Sequence, residues 1–223
     1  MNFFAHATLA LWRTDEPRFV LGAMLPDLLS MLGMRLSQVA DDQVAAGIAY
    51  HHATDNAFHH APVFVELCDE GIGWLSESGV ARGTARAIAH VGTELLLDGT
   101  LSHDLRARTA YTRALTHAIE STLLADLCLE RSAAERLRLG VRRLVQAPIP
   151  EGYRDVAFVV ARLRAILARR PRLAMREQDD AQATQLLRAY QPRIELQWPT
   201  LQDQLRSPLL AAASEQASHV SLR

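Results

Sequence analysis

The stretch VAAGIAYHHATDNAFHH, residues 44–60, carries His and Asp at helical spacing inside an apolar frame. His51, Asp55 and His59 follow one another at intervals of four residues. Four residues turn an α-helix roughly 40° past one full turn, so all three side chains project from one stripe. Imidazole and carboxylate groups at this spacing can share one metal ion. The stretch therefore predicts a helix with a metal-type polar stripe.

The pattern returns in AIAHVGTELLLDG, residues 87–99, where His90, Glu94 and Asp98 are again four residues apart. Asp27 in GAMLPDLL and His6 in the first segment also stand alone among apolar residues. Burying such groups without a cation or a mutual partner would cost several kcal/mol for each charge. We expect one or two divalent ions, with His6 and His59 as a further ligand or general acid. The expected metal ligands are Asp27, His51, Asp55, His90 and Glu94.

Mixed His and carboxylate ligands without thiolate suit Mn, Fe, Zn or Mg. Two readings without a metal stay open. A lone histidine on an apolar helix, such as His6, is more often a hydrogen-bonded core residue, and a helix cap after Pro26 explains Asp27 equally well. For the chain as a whole, the alternative is a helical protein without catalytic activity. Its buried polar groups would form a hydrogen-bonded network.

Proline and glycine separate segments with helical periodicity, and no strand-length alternation is present, so an all-α fold is predicted. The predicted helices cover residues 3–12, 19–32, 41–60, about 78 or 83–97, 104–130, 133–146, 153–170 and 179–190. Pro26 is expected to kink its helix, Gly99 to end the fourth and Pro192 to bound the last. We expect one helical domain over 1–207, with the metal site in 1–104, Arg-rich helices in 105–207 and a frayed tail over 208–223.

Charge is unevenly distributed between the two halves of the chain. Residues 1–100 hold 5 Arg and 12 acids, whereas residues 101–223 hold 19 Arg and 13 acids. The first half suits a cation site and the second an anion-facing surface. Arg169, Arg170 and Arg172 form a compact cluster that predicts either anion binding or simple solvation of a helix end.

Other classes of function are disfavoured. Aromatic residues do not interleave with the arginines, so nucleic-acid binding is not expected. The apolar runs are too short to cross a bilayer, and the first residues lack signal-peptide features, which predicts a cytoplasmic protein. Cys68 and Cys128 are expected to be reduced packing residues. The oligomeric state is not predicted.

Four motifs in order resemble the acyl-carrier-protein phosphodiesterase family. They are MNFxAHxxLA at residues 1–10, GxxxxD at 22–27, AGIxxHxxxD at 46–55 with Pro62 after it, and ARRPRL at 168–173. The resemblance implies an HD-domain-like helical bundle and metal-dependent hydrolysis, typically with manganese. It also implies release of 4′-phosphopantetheine from a serine of holo-acyl carrier protein, an acidic partner. Asp27, His51 and Asp55 match family positions expected to hold metal.

The chain departs from the family pattern at several positions. His52 and Ala53 stand where Arg is usual, His59 replaces an acid, and His90, Glu94 and Leu95 replace a DxxxDH-like pattern. The residues at these positions can still bind metal. The departures instead bear on which substrate the protein accepts. A small or lipid phosphoester is therefore an alternative substrate.

Overall fold

The computed structural model describes residues 1–36, 38–121 and 127–220, with 211–220 described by their backbone alone. Every regular element in these ranges is helical, which confirms the predicted all-α class. The α-helices are α1 (Phe3–Ala10), α2 (Pro17–Met31), α3 (Asp42–His59), α4 (Pro62–Glu77), α5 (Arg82–Leu101), α6 (Leu105–Glu120), α7 (Arg131–Gln146), α8 (Val156–Leu167) and α9 (Asp179–Val220). Short 3₁₀ helices cover Glu151–Arg154 and Pro171–Leu173.

The chain divides into two compact units. The first unit comprises Met1–Asp55 and Leu101–Glu151, and the second comprises Asn56–Thr100 and Gly152–Arg223. In the first unit α1, α2, α6 and α7 pack on one another. All eight residues of α1 are buried. The ring of Phe4 meets Tyr111 of α6 edge to face, with 5.4 Å between ring centroids.

Two glycines allow α2 and α3 to cross at very short range. A Cβ atom on Gly47 would lie 2.2 Å from the carbonyl oxygen of Phe19, and one on Gly22 would lie 2.3 Å from that of Val44. No larger residue fits this crossing without moving the helices apart.

The start of α3 is fixed by Asp41, whose Oδ1 accepts a hydrogen bond from the backbone N–H of Val44 at 2.9 Å. Asp41 therefore caps the N-terminus of α3.

In the second unit α9 packs along α4 and α8. The hydroxyl of Tyr190 donates a hydrogen bond to the carbonyl of Leu67 at 2.7 Å. The buried apolar side chains of α9 follow a helical spacing and form one stripe along the helix. They are Ala183, Leu186, Leu187, Tyr190, Ile194, Leu201, Leu205 and Leu209.

The last helix was predicted to end before Pro192, and this was wrong because α9 continues to Val220. Pro192, Pro199 and Pro208 all lie inside α9, although each removes one backbone hydrogen bond. Buried residues of the stripe lie before and after each proline, and their packing favours a helix that continues through it. Residues 208–220 are likewise helical where a frayed tail was expected, while 221–223 lie outside the described residues.

Other parts of the helix prediction also differ from the structure. The helix α4 was not predicted, although Pro62 occupies its first turn, where proline is favoured. Gly99 does not end α5, which continues to Leu101; a Cβ at Gly99 would instead lie 2.3 Å from the carbonyl oxygen of Tyr153. The helix predicted over 104–130 ends at Glu120, and residues 122–126 of that prediction lie outside the described part.

Among the described residues, no helix is both long enough and apolar enough to span a bilayer. The two cysteines differ in their exposure. Cys68 is buried as predicted, but Cys128 is exposed, so its expected packing role was wrong.

Candidate metal centre

Three helices of the first unit bring four potential ligands together. His6 comes from α1, Asp27 from α2, and His51 and Asp55 from α3. One ligand atom from each of His6, Asp27 and His51 lies within 4.8 Å of the other two. Asp55 Oδ1 is 3.7 Å from His6 Nε2, and Asp27 Oδ2 is 3.8 Å from the same nitrogen. We call these four residues the Asp27 site.

Backbone and side-chain partners determine which ring nitrogen each histidine presents. His51 Nδ1 is 2.8 Å from the carbonyl oxygen of Ala23, which can only accept, so Nδ1 carries the proton. His6 Nδ1 is 2.9 Å from the hydroxyl of Thr54. That hydroxyl can donate its single proton to the backbone carbonyl of Tyr50 or of His51 while it accepts from His6 Nδ1. In this tautomer both imidazoles keep an Nε2 lone pair, the form that binds metal.

Burial keeps both rings neutral. Desolvation lowers the pKa of His6 to about 3 and that of His51 to about 4. The rings stack with 3.9 Å between their centroids, an arrangement that two charged imidazoliums would oppose. The buried Nε2 of His6 makes no hydrogen bond to any described residue. The amino group of Met1 lies 3.0 Å from Asp55 Oδ1.

A second group of ligands lies in the other unit. His59 at the end of α3 and His90 and Glu94 on α5 bring three ligand atoms within 4.8 Å of one another. We call these residues the Glu94 triad. Burial alone would raise the pKa of Glu94, but hydrogen bonds from His59 and His90 are among the interactions that outweigh burial. The pKa of Glu94 therefore lies well below its usual value, and the carboxylate is charged at neutral pH.

The structure distributes the predicted metal ligands over both groups. Asp27, His51 and Asp55 join His6 in the Asp27 site, whereas His90 and Glu94 join His59 in the Glu94 triad. Asp27 lies inside α2, so the alternative of a helix cap is wrong. The roles of these residues in metal binding and catalysis stay predictions.

Other residues singled out in the sequence have different surroundings. Asp98, one turn beyond Glu94, is fully buried. His52 and His60 are exposed. Arg169, Arg170 and Arg172 are also exposed, beside the end of α8.

The sequence did not single out Thr54 or the carbonyl of Ala23, which hold the two histidines of the Asp27 site. Thr54 lies three residues after His51 and one before Asp55, a position next to the polar stripe that could have marked it. A backbone carbonyl leaves no signal in the sequence.

A groove with a volume of about 860 Å³ lies in the first unit, between α2, α3 and the segment that joins them. Pro26 and His52 line it, and these are the sequence neighbours of Asp27 and His51. Most of the other lining side chains are apolar, among them Leu29, Met34, Val39 and Ile48. The groove therefore suits an extended organic group with little charge.

Comparison with known proteins agrees with the resemblance of the motifs. Neither a search of curated proteins nor a search of solved structures gave a match. The family model for acyl carrier protein phosphodiesterase matches residues 1–205, which include both ligand groups, the groove and the arginine cluster. The chain belongs to the acyl carrier protein phosphodiesterase family.

Proposed function

We propose that the protein is a metal-dependent phosphodiesterase whose reaction takes place at the Asp27 site. The observation that carries this proposal is the convergence of two neutral imidazoles and two carboxylates from three helices. The buried Nε2 of His6 lies 3.7 and 3.8 Å from the carboxylate oxygens of Asp55 and Asp27, a spacing that leaves room for an ion among them. Membership of the family supports the class of reaction.

The donor set fits a divalent cation. His6 and His51 would bind it through Nε2, and Asp27 and Asp55 would balance its two charges. Manganese is the first choice, with iron, zinc and magnesium as alternatives. When bound, such a cation acts as a Lewis acid and makes a nucleophile available from water at neutral pH.

His6 and Asp55 differ in their exposure to solvent, and this suggests a different role for each in the reaction. The His6 side chain is fully buried, whereas the side chain of Asp55 is 36% exposed. His6 therefore suits a fixed ligand, and Asp55 suits a carboxylate that also orients water and accepts its proton. His59 as a general acid stays a prediction.

We further propose holo-acyl carrier protein as the substrate, as the family name suggests. Water adds to phosphorus, and the bond from phosphorus to the serine oxygen breaks. The serine oxygen takes a proton, and 4′-phosphopantetheine leaves. The groove lined by Pro26 and His52 would accommodate the pantetheine chain, while the exposed arginines would attract the acidic carrier protein.

The direct test incubates the purified protein with holo-acyl carrier protein and Mn²⁺ and follows the carrier by mass spectrometry. We expect conversion to the apo form, with loss of activity in EDTA and recovery on addition of Mn²⁺. Asp27→Asn should remove the activity, and Asp69→Asn, a change of an exposed carboxylate on α4, should retain it. If the protein binds metal but does not hydrolyse the carrier, holo-acyl carrier protein is not its substrate. If the protein binds no metal, the proposal of a metal-dependent phosphodiesterase is wrong.

The groove also favours a second candidate substrate, a small or lipid phosphoester with an apolar tail. Hydrolysis of bis-p-nitrophenyl phosphate together with an intact carrier protein would support this candidate. No hydrolysis of either compound by the metal-loaded protein would instead favour the non-catalytic polar network.

A further inference from the structure

The three ligand atoms of the Glu94 triad lie within hydrogen-bond distance of one another, so two imidazole nitrogens crowd a single carboxylate oxygen. His90 Nε2 is 3.0 Å from Glu94 Oε1, His59 Nε2 is 3.4 Å from the same oxygen, and the two Nε2 atoms are 3.2 Å apart. Two imidazole nitrogens and one carboxylate oxygen thus form a small triangle. The three atoms converge on one point from two helices.

The size of this triangle matches the edges of a metal coordination sphere. Donor atoms about 2.0–2.1 Å from Zn²⁺ in tetrahedral geometry are about 3.3 Å apart. The three observed separations, 3.0, 3.2 and 3.4 Å, lie around that length. By comparison, His6 Nε2 in the Asp27 site is 3.7 and 3.8 Å from its two carboxylates.

Aromatic packing holds the two imidazoles in place. Their rings stack with 5.0 Å between centroids, and the ring of Phe64 meets His90 edge to face at 5.1 Å. Phe64 meets His59 in the same way at 5.5 Å. Phe64 is 3% exposed, so the support is part of the core. The ligand geometry is therefore set before any ion binds.

The triad remains open to solvent on its histidine side. The side chains of His59 and His90 are 30% and 39% exposed, while that of Glu94 is 11% exposed. An ion could enter from solvent and keep water at its remaining positions. Two imidazoles and one carboxylate with open positions is the donor set of many mononuclear sites for zinc-like and iron-like metals.

We propose that His59, His90 and Glu94 bind a transition-metal ion of the zinc type, and that this nitrogen-rich set discriminates against Mg²⁺ and Ca²⁺. Imidazole favours Zn²⁺, Co²⁺, Ni²⁺ and Fe²⁺, whereas Mg²⁺ and Ca²⁺ prefer an all-oxygen shell. The Glu94 carboxylate supplies one negative charge. The inference needs only these three residues and does not depend on the proposed phosphodiesterase activity.

The test measures Co²⁺ binding in a protein whose other site has been disabled. Apo protein carrying Asp27→Asn and Asp55→Asn is dialysed against Co²⁺ at neutral pH, and the bound ion is followed by stoichiometry and visible absorption. We expect one Co²⁺ per chain, displaced by Zn²⁺ and retained in millimolar Mg²⁺. Adding His90→Ala or Glu94→Gln should weaken binding by at least about a hundredfold.

The matched control adds His60→Ala to the same background, because His60 is an exposed histidine that lies outside the triad. This variant should bind Co²⁺ unchanged. Circular dichroism confirms that each variant is folded, and a variant that fails to fold is replaced by His59→Asn. Equal Co²⁺ binding with and without Glu94→Gln would overturn the proposal, and so would displacement by Mg²⁺. Neither result would affect the Asp27 site, which is tested by carrier hydrolysis.

Discussion

His51 Nδ1 lies 2.8 Å from the carbonyl oxygen of Ala23, and this contact links the crossing of two helices to the chemistry of a ligand. The carbonyl belongs to α2 and the imidazole to α3. It fixes the proton on Nδ1 and leaves the Nε2 lone pair available to the Asp27 site. The contact exists only because the two helices approach closely enough for backbone and ring to meet.

Gly47→Ala should disturb this approach. The added Cβ would lie 2.2 Å from the carbonyl oxygen of Phe19 and 2.8 Å from Cα of Gly22, and both are backbone atoms that cannot turn aside. Overpacking of this kind costs about 1–3 kcal/mol. We expect a lower free energy of unfolding in urea, and weaker metal binding as His51 moves away from Ala23.

The control for that change is Gly73→Ala in α4, where an added Cβ meets nothing within 4 Å. Alanine favours a helix interior over glycine by about 1 kcal/mol. Gly73→Ala should therefore leave stability unchanged or raise it. If Gly47→Ala proved equally harmless, the close crossing would not be needed to orient His51.

Thr54→Val should weaken Mn²⁺ binding by changing how His6 is oriented, while His6 itself is kept. Valine keeps the shape of threonine but cannot accept the hydrogen bond from His6 Nδ1. Loss of such an outer partner weakens metal affinity by about 10- to 100-fold. Thr8→Val is the matched control, since the buried hydroxyl of Thr8 bonds only along its own helix, to the carbonyl of Phe4. Unchanged Mn²⁺ affinity in Thr54→Val would remove His6 from the proposed ligands.

Asp55→Ala should abolish metal retention and leave the helical circular-dichroism spectrum largely intact. The side chain is partly exposed and comes late in α3, so little packing depends on it, whereas its carboxylate would carry half of the charge that balances a divalent ion. Elemental analysis after gel filtration measures the result. Asp69→Ala, in the exposed part of α4, should retain metal. Equal metal content in both variants would exclude Asp55 from the site.

The sequence indicated which polar side chains converge better than it indicated how they are grouped. Spacing of four residues places His51, Asp55 and His59 on one stripe of α3, but spacing within a helix does not determine which other helices pack against each part. The structure pairs the first two with His6 and Asp27, and pairs His59 with residues of α5. Tertiary packing alone decides this division.

Helix boundaries failed where packing outweighs local preference. Proline disfavours a helix interior by about 3 kcal/mol, and this predicts that a helix ends near Pro192. Burial of Ile194 and Leu201 beyond it offsets that cost in α9. Gly99 was read as a helix end, whereas the absence of its side chain serves the close approach of Tyr153. The local sequence does not distinguish these two uses of glycine.

The arginine cluster provides the last prediction, which concerns recognition of the substrate. Changing Arg169, Arg170 and Arg172 together to Ala should lower kcat/KM for holo-acyl carrier protein on the order of tenfold at low salt, because attraction to an acidic partner is lost. The hydrolysis of bis-p-nitrophenyl phosphate should not change, since that small ester does not depend on steering. Added salt should lower the wild-type rate toward that of the variant. Arg136, Arg142 and Arg143, exposed on α7, form the matched control triple. An equal loss with the control triple would mean that general positive charge, rather than the cluster after α8, attracts the carrier.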